Sequence, residues 1–188
     1  MSLAPAERPS LLLNGALPDS AATDFVVGAW GGVYYAGNHA VVFPAQSICD
    51  PATSGYGAEK WDTPCTPLQT SLKIHAEVRR KEGKTWVDFT PSLRFVPTTN
   101  PSRWVWMVMY TPEAAGASGD LSRFNILWTN QIGGSAVDET ILDPSMRTYV
   151  DTWMGMSMRR IKHFSGYVTT SGRSCSPDSE ACGGGTPP

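Results

Sequence analysis

Charge is scarce in this chain. Asp, Glu, Lys and Arg make up 17% of its 188 residues, against about 25% in an average soluble domain. The net charge is −2. There is no basic excess to attract a polyanion, so no nucleic-acid partner is expected. The positive groups are local: Arg79-Arg80-Lys81, followed at once by Glu82, and Arg159-Arg160 with Lys162. No apolar run approaches the ~20 residues of a membrane-spanning helix, and Leu11-Leu12-Leu13 is far too short. No membrane span is expected. A basic start, a long apolar run and a small-residue cleavage site do not occur together, so we read no signal segment in the chain. Helical periodicity is missing as well. No window of a dozen residues carries a capped 3.6-residue repeat, which argues against a helical bundle or a coiled coil.

What the chain does have is punctuation and short apolar runs. It contains 18 Gly and 15 Pro, which cut it into many pieces. Val33-Tyr34-Tyr35-Ala36, Gly37-Asn38 and His39-Ala40-Val41-Val42-Phe43 read as strand, tight turn and returning strand, stopped by Pro44. Leu72 to Arg79 alternates apolar and polar, the signature of a strand with one wet face. Glu82-Gly83 reads as the turn after it, and Thr85 to Phe89 as the return. Trp104 to Tyr110 is apolar on both faces, which predicts a central strand covered on both sides, with Trp104 and Trp106 in the core. Phe124 to Thr129, Thr140 to Leu142, Arg147 to Val150, Met156 to Ser165 and Gly166 to Thr169 read as further short extended pieces. The expected fold class is all-β: an antiparallel β-sandwich of about eight to ten short strands. The expected organisation is a tail or linker over 1–22, the sandwich over 23–170, and a polar Cys-containing tail over 171–188.

Four cysteines are present: Cys49, Cys65, Cys175 and Cys182. No pair has the Cys-x-x-Cys spacing of a zinc or redox site. Each sequential pair brackets a turn-rich segment, so Cys49–Cys65 and Cys175–Cys182 are the expected disulfides among the three possible pairings. Closing a loop of this length contributes about 3 kcal/mol in the chain-entropy model. Disulfides imply an oxidising compartment: periplasm, cell surface or secreted space. The loop over 46–67 has no core of its own, and so long a loop is functional or braced.

Conventional sites are hard to find. His39, His75 and His163 are far apart and follow no metal motif. His75 falls on the polar face of an alternating strand, suited to a surface or cross-strand role. Asp138, Glu139 and Asp143 form a carboxylate cluster that reads as a solvated loop rather than a calcium site. No metal and no cofactor are expected. Among the seven tryptophans, Trp61 and Trp153 are candidates for a sugar-stacking surface, with core packing as the plainer reading.

One tripeptide carries a mechanism of its own. In His163-Phe164-Ser165 a peptide bond immediately precedes a serine, and a peptide strained at such a place is open to attack by that serine. The Ser165 hydroxyl can attack that peptide, turning amide to ester, and water then splits the ester. His163 can assist the proton transfer, and strain raises the starting state. The plainer reading is a last strand with Phe164 in the core and His163 and Ser165 facing water.

Three segments, in order, resemble the ZU5-type β-sandwich module of bacterial secreted or envelope proteins. Gly31-Gly32-Val33, leading through the hairpin to Val41-Val42-Phe43-Pro44-Ala45, is similar to the family's glycine pair, strand and Pro stop. Phe89-Thr90-Pro91-Ser92-Leu93-Arg94-Phe95 resembles its F-x-P-x-G-L-x-F stretch, lacking the Gly before Leu93. Ile161-Lys162-His163-Phe164-Ser165-Gly166-Tyr167 resembles its closing V-x-H-F-S-x-Y strand. The segment 46–67 departs from the family's compact pattern. The resemblance implies a non-enzymatic, extracytoplasmic module with a structural, scaffolding or protein-interaction role, and a protein or cell-envelope partner. Some members in death-domain signalling, and an unrelated nucleoporin domain, cut themselves between the Phe and Ser of this tripeptide. Carried over, Ser165 is the nucleophile, His163 the helper and Phe164–Ser165 the bond cut. The alternatives to a purely structural module are therefore a self-cleaving module and a glycan-binding domain using Trp61 and Trp153.

Overall fold

The computed structural model describes residues 20–81 and 84–170. Among these residues there is no α-helix; eleven strands and a few short 3₁₀ turns form two antiparallel sheets. The strands are β1 (Ser20–Val27), β2 (Gly32–Ala36), β3 (His39–Phe43), β4 (Leu72–Lys81), β5 (Lys84–Arg94) and β6 (Val105–Tyr110). They continue as β7 (Ile126–Thr129), β8 (Ala136–Val137), β9 (Thr148–Asp151), β10 (Met156–Ile161) and β11 (His163–Thr169). One sheet has the order β1-β4-β5-β11-β7-β8 and the other β2-β3-β6-β10-β9. The expected β-sandwich is therefore present. The Cys49–Cys65 disulfide is formed. Cys175 and Cys182 lie outside the described residues, as does the Glu82-Gly83 turn.

Period-2 patterning puts the core between the sheets. On β4, Ile74, Ala76 and Val78 are buried while Lys73, His75 and Arg79 are not. Val41 and Phe43 of β3 and Val105, Met107 and Met109 of β6 come from the facing sheet. The β2–β3 hairpin closes through a two-residue turn in which Gly37 takes φ 57°, a conformation that favours glycine. His75 meets Asp24 of the neighbouring strand, Nδ1 to Oδ1 at 2.7 Å, which is the cross-strand role its position suggests.

Several expectations are corrected. β1 begins at Ser20, inside the expected tail. β6 is central but covered on one side only: Trp106, Val108 and Tyr110 alternate with the buried residues and are half-buried on the outer face. Trp104, just ahead of β6, is half-buried too, beneath the Arg160 guanidinium at 4.4 Å from the ring centre. Cross-strand pairing lines up Tyr35, Ala40, Val108, Met158 and Tyr149 across that outer face, an almost wholly apolar row. Residues 139–141 form a 3₁₀ turn rather than a strand, with Ile141 and Leu142 exposed.

β10 and β11 belong to different sheets and are joined at Lys162 alone. The residue after β5 meets this corner too: the Phe95 N–H donates to the Lys162 carbonyl at 2.9 Å, one step beyond the Arg94–His163 pair. The 46–67 segment folds over the same corner. Its neck is sheet-like, with bridges Ile48–Phe95 and Cys49–Pro67, and the disulfide closes it.

Candidate functional site

β11 is buried along its whole length in the middle of the larger sheet. Its ladder to β5 has one irregularity. His163 and Phe164 pair with Arg94 and Leu93, then Gly166 pairs with Asp88. β5 has extra residues at this point, and Ser165 has no partner in either neighbouring strand. The Phe164–Ser165 peptide thus lies in a gap of the hydrogen-bond ladder. Such irregularities re-aim side chains beside active sites.

Phe164 anchors one side of the gap. Its ring stacks on Phe89, with centres 4.2 Å apart, and meets Phe43 and Phe95 edge-on. That is the core position expected for it. The expectation that His163 and Ser165 face water is overturned: His163 is fully buried and Ser165 is 8% exposed. The cover comes from residues distant in sequence. Trp61 stacks on the His163 imidazole at 3.7 Å. Trp128 donates its Nε1 hydrogen to the Ser165 hydroxyl oxygen at 2.6 Å. The Ser165 hydroxyl donates in turn to the Thr129 carbonyl at 3.3 Å. Gly166 permits that approach of β7, since a Cβ there would lie 2.9 Å from Thr129 Cγ2 and 3.0 Å from its carbonyl oxygen.

Both imidazole nitrogens of His163 are engaged. Nε2 lies 2.7 Å from Glu139 Oε1, and Nδ1 lies 3.4 Å from the Tyr56 hydroxyl. The Tyr56 hydroxyl donates to the Phe164 carbonyl at 2.8 Å, and the Tyr167 hydroxyl donates to the His163 carbonyl at 2.6 Å. Burial pushes the phenol of Tyr56 up, and the Glu139 charge adds to this against the hydrogen bonds of Ser165 and Ser92. Burial likewise holds Tyr167 well above the ordinary tyrosine range. Both hydroxyls are therefore protonated donors at neutral pH.

The carboxylate cluster is not a solvated loop. Glu139 is buried between His163 and Arg159, whose side chain is fully buried. Arg159 also pairs with Asp138 at 3.3 Å and donates to the Ile126 carbonyl. Asp143 faces Lys162 at 2.8 Å instead. Burial works to raise the Asp143 carboxyl, but the hydrogen bonds from Lys162 and Ser145 prevail and hold it at about 2. Asp138 and Glu139 thus share the Arg159 guanidinium, while Asp143 pairs with Lys162 and Arg160. Among the described residues no group of three or more His, Cys, Asp or Glu is placed to hold a metal.

The two tryptophans proposed for sugar stacking go to different places. One face of Trp61 is covered by His163, and its edge meets Trp128. Trp153 is half exposed, in the turn between β9 and β10. The most exposed tryptophan is Trp30, at 90%, in the turn before β2. The structure thus keeps His163, Phe164 and Ser165 together, as their adjacency requires, and brings Trp61 to them. It adds Tyr56, Trp128, Glu139 and Arg159. Only the length of the 46–67 loop hinted at Tyr56.

No family model, no curated protein and no solved structure matches this chain.

Proposed function

We propose that this chain is a β-sandwich scaffold module of ZU5 type that cuts itself once, between Phe164 and Ser165. The observation that carries this reading is the position of Ser165: buried, unpaired in the ladder, its hydroxyl fixed by Trp128 and Thr129, immediately after a peptide carbonyl that already receives a hydrogen bond. A serine serving only as a strand residue needs none of these. The ladder gap supports the reading because a peptide outside the sheet's hydrogen bonds is free to deform toward a tetrahedral centre.

The chemistry balances with one water. The Ser165 Oγ bonds to the Phe164 carbonyl carbon, and the Phe164–Ser165 C–N bond breaks. The hydroxyl proton ends on the Ser165 nitrogen, leaving an ester. Water adds to the ester, giving a Phe164 carboxylate and a free Ser165 amine and hydroxyl. His163, oriented by Glu139, supports the proton movements through the Tyr56 hydroxyl.

The test is the intact mass of the purified protein, reduced and denatured. Two pieces ending at Phe164 and starting at Ser165, summing to the chain plus one water, establish the cut. A single full-length mass, unchanged on prolonged incubation, sinks it.

A second reading rests on the apolar row Tyr35-Ala40-Val108-Met158-Tyr149 across the outer face of the smaller sheet. Such a face suits a purely structural or protein-interaction module at the cell envelope. The Cys49–Cys65 disulfide supports an extracytoplasmic setting for either reading. Among the described residues no helix is long and apolar enough to cross a membrane.

A further inference from the structure

We infer that Tyr56 is the catalytic hydrogen-bond donor of the self-cleavage, and that the disulfide-closed lobe over 49–65 serves to deliver it; this rests on the self-cleaving reading above. Attack by Ser165 moves an electron pair of the Phe164 carbonyl onto its oxygen. That oxygen already accepts from the Tyr56 hydroxyl at 2.8 Å. A fixed donor at the atom where negative charge develops is the largest single contribution in many acyl-transfer sites. The same hydroxyl lies 3.4 Å from His163 Nδ1, so it connects the carbonyl to the imidazole–Glu139 pair.

The lobe's seating makes the contact specific. Three lobe side chains fall on three consecutive residues of the corner. Asp62 pairs with Lys162 at 2.6 Å, Trp61 stacks on His163, and Tyr56 reaches the Phe164 carbonyl. From below, the buried guanidinium of Arg94 donates to the carbonyls of Lys60 and Thr63 at 2.8 and 2.7 Å. It reaches the Pro64 carbonyl as well. The segment has little hydrophobic anchorage of its own: Cys49 is its only residue in the buried apolar set. The covalent closure at its neck and these polar contacts are what hold Tyr56 in register.

The test follows cleavage by intact mass over time in the full chain, comparing wild type, Tyr56→Phe and the double variant Cys49→Ser/Cys65→Ser. Phe keeps the ring and removes only the donor. The expected result is a Tyr56→Phe chain cut about 100-fold more slowly or worse, with an unchanged near-ultraviolet circular dichroism spectrum. Hydroxylamine, which splits an ester but not an amide, does not rescue it. The double serine variant is also slowed while its sheets remain folded. This second variant tests the delivery claim independently of Tyr56.

The outcomes separate. A wild-type chain that stays whole overturns the self-cleaving reading and this inference together. Wild type and Tyr56→Phe cutting at equal rates overturns the role of Tyr56 alone. Rapid scission of Tyr56→Phe by hydroxylamine shows that the ester forms without Tyr56 and overturns it too. A double serine variant cutting at the wild-type rate removes the lobe's part.

Discussion

Glu139 Oε1 sits 2.7 Å from Nε2 of His163, with both side chains buried. The other oxygen of Glu139 faces the Arg159 guanidinium at 3.6 Å. A carboxylate thus links a strand of one sheet to a strand of the other through a 3₁₀ turn that belongs to neither. Buried charge is tolerable only when paired.

Glu139→Gln therefore leaves Arg159 with Asp138 as its remaining charged partner. Breaking a buried pair costs up to about 3–5 kcal/mol. The variant is expected to lose stability in urea unfolding and to cut more slowly, since His163 loses its charged neighbour. Stability within about 0.5 kcal/mol of wild type, a surface-substitution effect, would mean that Asp138 alone neutralises Arg159.

Phe164→Ala removes a ring packed on Phe89, Phe43 and Phe95, and such truncations cost about 3–5 kcal/mol. Ser165→Ala strands the Trp128 indole N–H, which costs about 1–3 kcal/mol. Phe164→Ala should be the less stable of the two, and Ser165→Ala should remain whole. The opposite order of denaturation midpoints would contradict the packing described for this strand.

The Cys49–Cys65 link spans 16 residues. Replacing either cysteine with serine should lower stability by about 2–5 kcal/mol. Identical melting of oxidised wild type and variant would show that the lobe holds itself closed without the bond.

His39 supplies a pH dependence. It is buried, and its Nδ1 accepts the Tyr110 N–H at 3.1 Å. Burial, with Arg80 adding to it, lowers its pKa from 6.5 to about 4. The unfolded chain therefore binds the extra proton first as pH falls, and stability drops from about pH 6.5 down to about pH 4. The slope approaches about 1.4 kcal/mol per pH unit, or about 3 kcal/mol across the window. His39→Gln should flatten the curve by one proton over that range. Parallel curves for wild type and variant would show that His39 is not the group responsible.

Local pattern made much of the fold legible. Alternation in β4 and the Gly37-Asn38 turn each point to one structure. β6 was harder, because an apolar residue on a wet face reads the same as one in a core. Trp106 and Val108 show that composition cannot tell the second face of a sheet from its first. The tripeptide His163-Phe164-Ser165 was legible as a candidate for self-cleavage, since its three residues are adjacent. Its surroundings were not. Tyr56 and Trp61 come from a lobe whose landing place depends on tertiary contacts. Glu139 stands among polar neighbours that suggest solvent, and its burial depends on Arg159 and His163, both distant in sequence. Placing that carboxylate required knowing where a guanidinium and an imidazole would arrive.

Arg94 and His163 are directly opposed across the β5–β11 ladder. The side chain of the first grips the lobe, and the second lies beneath the lobe's Trp61. One rung of the sheet thus serves as the common datum for both halves of the site. A disturbance elsewhere in the sandwich that leaves this rung intact is therefore expected to carry the two halves together.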